Sequence, residues 1–502
     1  MKESIHWADA IAEKILAGGQ KQVVATGITP SGNIHIGNLR EVMTADAVYR
    51  SLLAAGADVR LIYIADTFDP LRKVYSFLPD SFEEYVGHPI SEIPDPRGCH
   101  ASYTEHFLEP FLESIETLGV GVEVFKADEL YKNGAYVEAI KTALVERDEI
   151  ADIIDTVSGK TTKPEWSPFN VVCKACGRIN SAIVLHYDPK KETVDYSCSC
   201  GDEGTVPMKG GGKLTWRVDW AARWGILGIT VEPFGKDHAA AGSSYDSGVI
   251  ISEKIYGYKP PFPIPFEHIH LKGKGKMSSS SGISISITDM LEVLPPEAIR
   301  YMIIRTKPEK HIDLDPGMPS LKLMDEYDEL PQSNRLHALS QTESSERFSA
   351  KVPFKHMINA VQIADGDFEQ LLNILKRGGY DTAERELINI RAGKAEMWIE
   401  RFAPDFLKFE IQKSLPEKAK NLSEPQKSAL KLLAEKLKDN TAEEVHNDIY
   451  GIAEGLEMKP GKVFEAIYIA LLGLKSGPRV GWFITSLDQE FVYSRLIEAS
   501  EV

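Results

Sequence analysis

Two segments carry residue types suited to holding phosphate. The stretch Thr26-Gly-Ile-Thr-Pro-Ser-Gly-Asn-Ile-His-Ile-Gly-Asn38 follows an apolar strand, Val23 to Ala25, and runs into a helical pattern with Leu39, Val42, Met43, Tyr49, Leu52 and Leu53 on one face. A second apolar strand, Val59 to Ala65, completes a β-α-β unit, so the helix begins at the carboxyl end of a parallel sheet, where nucleotides bind. Gly32 and Gly37 leave room for a ligand beside the backbone, and the helix start offers free N–H groups and positive dipole to phosphate. Pro30, His35 and Asn38 sit at that mouth. Far downstream, Lys276, Met277, Ser278, Ser279 and Ser280 form a lysine-led serine run that supplies a cation, hydroxyls and loop N–H groups.

The cysteines form a second constellation. Cys173-x-x-Cys176-Gly177 and Cys198-x-Cys200-Gly201 have the pattern of a zinc ribbon: short knuckles aim paired thiolates at one metal, and the glycine after each pair permits the turn. The second pair has one intervening residue where the usual ribbon has two. Asp95, Cys99, His100 and His106 are a mixed donor set of the kind that also holds zinc, with His106 about a turn and a half beyond His100. Four thiolates make a closed structural site, and neither cluster is read as activating water.

The elements that must position these groups are legible in outline. We read an α/β protein with a Rossmann-type parallel-sheet core, a zinc-ribbon-containing insertion and an all-α C-terminal domain. Residues 1–92 form the first half of the core and 93–215 the insertion. The insertion includes a helix around Tyr103 to Leu118, a strand Val122 to Phe125, a helix near Tyr136 to Ile150 and the cysteine-bearing β segment. Residues 216–272 resume the core, with strands Ile229 to Phe234 and Phe266 to Leu271 around a helix from Ser243 to Ile255. Residues 273–320 hold the Lys276 loop and a helical adaptor starting at Pro296, and 321–502 show only helical periodicity. Thr441-x-x-Glu444 is a capping box there.

A chain of 502 residues that is 43% hydrophobic can build several domains with substantial cores. No apolar run reaches about 18 residues and the N-terminus lacks a signal-peptide pattern, which argues against a membrane span and for the cytoplasm. Five cysteines, an odd number, suit a reducing compartment and metal chemistry. The net charge of −17 disfavours indiscriminate nucleic-acid binding, so any RNA contact requires local basic patches. Nothing in the sequence implies an obligate protein partner.

His35-Ile36-Gly37-Asn38 and Lys276-Met277-Ser278-Ser279-Ser280 resemble the HIGH and KMSKS signatures of class I aminoacyl-tRNA synthetases. Their wider context, with Asp219-Trp-Ala-Ala-Arg-Trp224 and Phe234-Gly-Lys-Asp-His238, is similar to the class I, archaeal-type lysyl-tRNA synthetase family over almost the whole chain. The resemblance implies activation of L-lysine by ATP with Mg2+, then transfer of the lysyl group to the 3′ end of tRNA(Lys). It assigns His35, Asn38 and Lys276 to the α/β and leaving phosphates, with Lys272 or Lys274 supplying the charge that Ser279 lacks. It puts Gly27, Thr29, Trp220, Asp237, His238 and Phe266 at the lysine or adenosine, and zinc, one or two per chain, in the insertion. Trp220 is either a cation–π contact or core, and Glu267 either pairs with the substrate ammonium or caps the sheet. Within the helical domain, Arg479, Trp482 and Phe483 at a Gly-Pro break are candidate anticodon readers, against the alternative that both rings are core.

Two other readings compete. A glutamate-specific synthetase needs a cation for its substrate, and residues 22–39 contain no lysine or arginine. A non-catalytic zinc-ribbon RNA-binding protein accounts for the cysteines but leaves His35 and Lys276 unexplained.

Overall fold

The computed structural model describes residues 5–277, 285–342, 352–437 and 440–502. The chain divides into two compact units, one of Met1–Leu291, Ile299–Leu314 and Gln332–Thr342, the other of Glu292–Ala298, Asp315–Pro331 and Glu343–Val502.

The first unit is built on a five-stranded parallel sheet. Its strands are β1 (Lys21–Ile28), β2 (Asp58–Ala65), β3 (Glu123–Lys126), β9 (Val231–Gly235) and β10 (Phe262–Phe266), in the order β10-β9-β1-β2-β3. Residues 22–26 of β1 are continuously buried, as befits a strand covered on both faces. The helices are α1 (Trp7–Leu16), α2 (Leu39–Ala54), α3 (Tyr103–Thr117), α4 (Ala127–Asn133), α5 (Val137–Val145), α6 (Arg147–Ser158), α7 (Trp216–Leu227) and α8 (Ser244–Lys254). In the crossover helix α2, Leu39, Val42, Met43 and Leu52 are buried, but Leu53 is 54% exposed, one position past the apolar stripe.

Three sequence expectations are corrected. The strand near Val122, assigned to the insertion, is β3 and forms the edge of the core sheet beside β2. The helix expected from Tyr136 to Ile150 is two helices, α5 and α6, interrupted at Glu146, with α4 preceding them. The strand expected from Phe266 to Leu271 is split: β10 ends at Phe266 in the main sheet, while β11 (Ile269–Leu271) joins a separate sheet with β12 (Gly275–Lys276) and β13 (Ile312–Leu314). The insertion proper folds as β4 (Phe169–Val171), β5 (Ala182–Asp188), β6 (Thr193–Cys198), β7 (Glu203–Pro207) and β8 (Gly212–Leu214), with β5-β6-β7 as a meander and β4 paired to β8.

Helices α9 (Ile287–Val293) and α10 (Pro296–Ile304) follow, and α12 (Arg335–Ser340) completes the first unit. Arg40, fully buried on α2, donates to the carbonyls of Ile303 and Lys307, so a guanidinium fixes the helix behind the glycine turn to the last turn of α10 and the segment after it. The second unit is helical: α11 (Met318–Asp328), α13 (Phe354–Ala364), α14 (Phe368–Arg377), α15 (Arg385–Phe402), α16 (Glu424–Lys436), α17 (Ala442–Gly455), α18 (Pro460–Leu472), α19 (Val480–Ser486) and α20 (Gln489–Glu501). The capping box opens α17: Thr441 N–H donates to Glu444 and Glu444 N–H to Thr441 Oγ1. Among the described residues no helix is long and apolar enough to cross a membrane.

Candidate active site and metal centres

At the carboxyl end of the sheet lies a cavity of about 660 Å³. One side of it is the turn between β1 and α2, the segment from which phosphate contacts are expected. His35 opens a 3₁₀ turn, Ile36–Asn38, and Asn38 Oδ1 accepts the His35 N–H at 3.2 Å, so Asn38 holds the turn closed. Gly37 is required there, since a Cβ would come within 2.9 Å of the His35 ring. Gly27, His35, Gly37, Asn38 and Met277 all line the cavity. Lys276 lies in β12 with its backbone paired to His270, Ile36 N–H donates to the Ile285 carbonyl, and His35 bridges to Ser286. The two signature segments, more than two hundred residues apart in sequence, therefore converge on one opening. Ser278, Ser279 and Ser280 lie outside the described residues.

The other end of the cavity is aromatic and acidic. Trp220, from α7, is 2% exposed and packs edge-on to Phe234, with His238 at 5.6 Å between ring centroids. Its Nε1–H donates to Glu232 at 3.0 Å, as does that of Trp224 at 2.6 Å. Glu41, on the first turn of α2, accepts from Thr26 Oγ1 at 2.8 Å and Gly27 N–H at 2.7 Å. Burial pushes the Glu41 carboxyl up to about 8 against these hydrogen bonds, and pushes Glu232 up to about 7 against the two indole donors. Phe266 completes the apolar wall. The cavity is thus an aromatic slot lined by two carboxyl groups whose neutral forms burial favours.

Other residues singled out in the sequence stand at the cavity edge or behind it. Glu267 directly follows β10 and pairs with Lys236 at 2.7 Å, an arrangement in keeping with a place at the end of the sheet. Asp237 is largely exposed and pairs with His268 at 3.0 Å, at the cavity rim. Thr29 donates its hydroxyl to Asp69 at 2.9 Å, and Thr29, Pro30 and Gly32 form the loop behind the cavity wall. Glu41 and Glu232 escaped the sequence reading, although a charged residue inside the apolar strand Val231–Gly235 was a usable signal.

A buried ionic cluster adjoins the cavity, and two of its members, Asp66 and Arg223, line it. Arg223 forks onto Asp66 and reaches Asp219 at 2.8 Å, while Lys213 Nζ is 2.6 Å from Asp69, 3.6 Å from Asp66 and 3.7 Å from Asp219. Burial opposes each charge, but Arg223 and Lys213 outweigh it and hold the Asp66 carboxyl below its ordinary range; the three aspartates raise Lys213 above its own.

Both donor clusters assemble. The Cys173–Cys200 and Cys176–Cys198 sulfurs are each 3.7 Å apart, and all four lie within 4.8 Å of one another. A tetrahedron with zinc–sulfur bonds of about 2.3 Å has edges of about 3.8 Å, so the donor set fits zinc. Gly177 and Gly201 adopt φ of 67° and 93°, the left-handed turns expected after each cysteine pair. In the second cluster Cys99 Sγ lies 3.1 Å from His100 Nδ1 and 3.2 Å from His106 Nδ1, and Asp95 is 3.2 to 3.3 Å from both rings. Ser102 caps α3 between these ligands, which sets His106 facing the Cys99 turn.

In the helical unit, Phe483 is fully buried and cannot stack on an exposed base, a correction that follows from α19 running through Trp482 and Phe483 where a loop was expected. Trp482 differs. It lines a cavity of about 510 Å³ with His356, His446 and the exposed Arg479, and stacks on His356 with centroids 5.4 Å apart. Its Nε1, and His446 Nδ1, are buried without a hydrogen-bond partner among the described residues.

Residues 5–358 match the family model described as tRNA synthetases class I (K), and residues 398–500 match an anticodon binding domain. The chain is 52% identical, over 100% of its length and 98% of the relative's, to a lysine–tRNA ligase of Methanosarcina barkeri (strain Fusaro / DSM 804). It is 50% identical to one of Archaeoglobus fulgidus, over 98% of this chain and 99% of that relative. Among solved structures, a glutamate tRNA ligase from Elizabethkingia meningosepticum aligns over 96% of this chain and 99% of its own at 17% identity and TM-score 0.49, too distant to carry weight here. By the matched model and by the residues shared end to end with these relatives, the chain belongs to the class I tRNA synthetases of the K group.

Proposed function

We propose that the chain is a lysine–tRNA ligase: it condenses L-lysine with ATP to lysyl-adenylate and passes the lysyl group to the 3′ end of tRNA(Lys). In the first step a lysine carboxylate oxygen attacks the α-phosphorus, and the bond to the bridging oxygen breaks as pyrophosphate leaves. No protein nucleophile is needed; alignment and charge stabilisation carry the step. His35 and the N–H groups of its turn face the α/β phosphates, Asn38 keeps the turn closed, and Lys276 with Ser278, Ser279 and Ser280 neutralises the departing pyrophosphate. Magnesium arrives with the nucleotide phosphates.

The observation that carries lysine as substrate is the slot made by Trp220, Phe234 and Phe266 with Glu41 and Glu232 inside it. An aliphatic ammonium suits an indole face and relieves two buried carboxyl groups of their unfavourable ionisation. A glutamate side chain meets the same groups as repulsion, and the guanidinium at that wall, Arg223, is engaged by Asp66 and Asp219. Zinc at the Cys173, Cys176, Cys198, Cys200 set and at the Asp95, Cys99, His100, His106 set holds the fold of the first unit and takes no part in the chemistry. In the helical unit Arg479 and Trp482, joined by His356 and His446, take an unpaired anticodon base; the unpartnered indole N–H supports this by offering a donor to a base carbonyl. The setting is the cytoplasm.

ATP–pyrophosphate exchange with each standard amino acid tests the reading. Exchange that depends on lysine alone is the expected result; exchange with glutamate, or none with any amino acid in the presence of tRNA, overturns it.

A further inference from the structure

Lys213 is the last charged residue before the chain leaves the insertion and re-enters the core. It sits mid-strand in β8, at 4% exposure, an unusual place for an ammonium. The groups it meets all belong to the core. Asp66 and Asp69 follow β2; Asp219 and Arg223 lie four apart on α7. Without Lys213 the core would hold two buried carboxylates, Asp66 and Asp219, and the partly exposed Asp69 against a single guanidinium. The insertion therefore supplies a charge that the core's own residues lack.

The geometry on either side of Lys213 leads to the reacting groups. Asp69 gives Oδ1 to Lys213 at 2.6 Å and takes the Thr29 hydroxyl on Oδ2 at 2.9 Å. Thr29 begins the loop that carries Ser31 and His35, and Tyr103 pins the same loop by donating to the Ser31 carbonyl at 2.7 Å. On the other side, Asp66 lines the cavity and orients Arg223, which lines it too. Tyr131 closes the arrangement: its hydroxyl donates to Asp219 at 2.7 Å and accepts the Leu214 N–H at 3.1 Å, so the residue after Lys213 is locked to the same cluster.

We propose that Lys213 is a positioning residue for the amino-acid and phosphate sites, acting through Asp69 on the Thr29 loop and through Asp66 on Arg223, so that the insertion completes the catalytic core. Lys213 touches no substrate. It sets where the walls of the cavity stand, and a wall displaced by about 1 Å is enough to slow a reaction roughly 100-fold. This rests on the proposed aminoacylation reading only for the identity of the amino acid.

The test is steady-state pyrophosphate exchange on the full-length protein with Lys213→Met, Asp69→Asn and the two combined, at saturating tRNA. Each single variant is expected to lower kcat/KM for lysine about 10- to 100-fold, while the KM for ATP moves less than about twofold. The double variant is expected to be no worse than the poorer single one, since both break one chain of hydrogen bonds. Asp69→Asn keeps the acceptor for Thr29 at a partly exposed position, so it reads the proposal even where Lys213→Met fails to fold. Additive losses, or activity that simply follows the folded fraction with an unchanged lysine KM, overturn the role. Wild-type protein is run beside them with each amino acid: if another amino acid is activated, the lysine reading falls, and the same comparison on that amino acid still decides Lys213.

Discussion

Glu41 is the residue at which electrostatics and specificity meet. Its carboxyl is held up to about 8 and that of Glu232 up to about 7, both by burial, so in the ligand-free protein both are largely protonated in mildly acidic solution. An arriving ammonium must be met by carboxylate. The expected outcome is that kcat/KM for lysine falls about tenfold per pH unit between about pH 8 and 7 and about 100-fold per unit below that, while the KM for ATP stays level. Glu41→Gln flattens the upper part of that profile and raises the lysine KM. The same shifts bear on stability. A carboxyl raised from 4.5 stabilises the fold fully below 4.5 and loses that contribution as pH rises through about 8, so the thermal shift produced by lysine is larger at about pH 8.5 than at about pH 6. A pH-independent lysine KM contradicts both expectations. At the phosphate end, His35→Ala and Lys276→Ala are each expected to slow single-turnover adenylate formation about 10²–10³-fold, with little change in ATP affinity. Near-wild-type rates for both remove them from the mechanism.

At the scale of elements, the two donor clusters gather ligands from separate strands and turns, so a metal bound there would couple its binding to their folding. β6 carries Cys198 to the sheet end, the Gly201 turn returns Cys200, and the Cys173 knuckle closes from the other side. If zinc ties these pieces as proposed, replacing Cys173 or Cys198 by Ser is expected to lower the thermal midpoint and expose the insertion to protease, and a chelator to do the same reversibly. Elemental analysis is expected to give two zinc ions per chain, falling to one when His106 is replaced by Ala. Metal-free protein of unchanged stability contradicts the assignment. The two clusters were legible in the sequence because metal ligands come in short, local spacings. So was β1-α2-β2, whose buried run, glycine turn and apolar stripe are contiguous. β3 was misplaced because its four residues reveal nothing of their parallel partner β2, some sixty positions earlier. The Lys213 cluster was invisible for a related reason: it gathers residues from 66 to 223 that share no spacing. Glu41 lies just past the resembling segment, and its place beside the cavity depends on Thr26 and Gly27 turning toward it, which only the folded strand supplies.

At the scale of the whole molecule, a net charge of −17 must coexist with a polyanionic substrate. The energetics favour a few well-placed contacts over a broad basic surface, and selective recognition of unpaired bases over backbone attraction. The helical unit has such a place: Arg479 at the mouth of a cavity walled by Trp482 and His356, with an indole N–H that finds no partner among the described residues. Leaving a buried donor unsatisfied costs about 1–3 kcal/mol, which a base carbonyl would restore on binding. Arg479→Ala and Trp482→Phe are therefore expected to lower aminoacylation of tRNA about 5- to 150-fold, the range of one stacked or hydrogen-bonded base, chiefly through the KM for tRNA. Pyrophosphate exchange at saturating tRNA should stay within about twofold, because neither residue belongs to the unit that carries the proposed ATP and lysine site. Phe483→Leu serves as the contrast: fully buried, it is expected to cost stability while leaving the tRNA KM of the folded protein unchanged. If Trp482→Phe charges tRNA as well as wild type does, the cavity is structural and tRNA selection lies elsewhere; if Phe483→Leu alone raises the tRNA KM, the packing behind the cavity, and not its polar lining, does the reading.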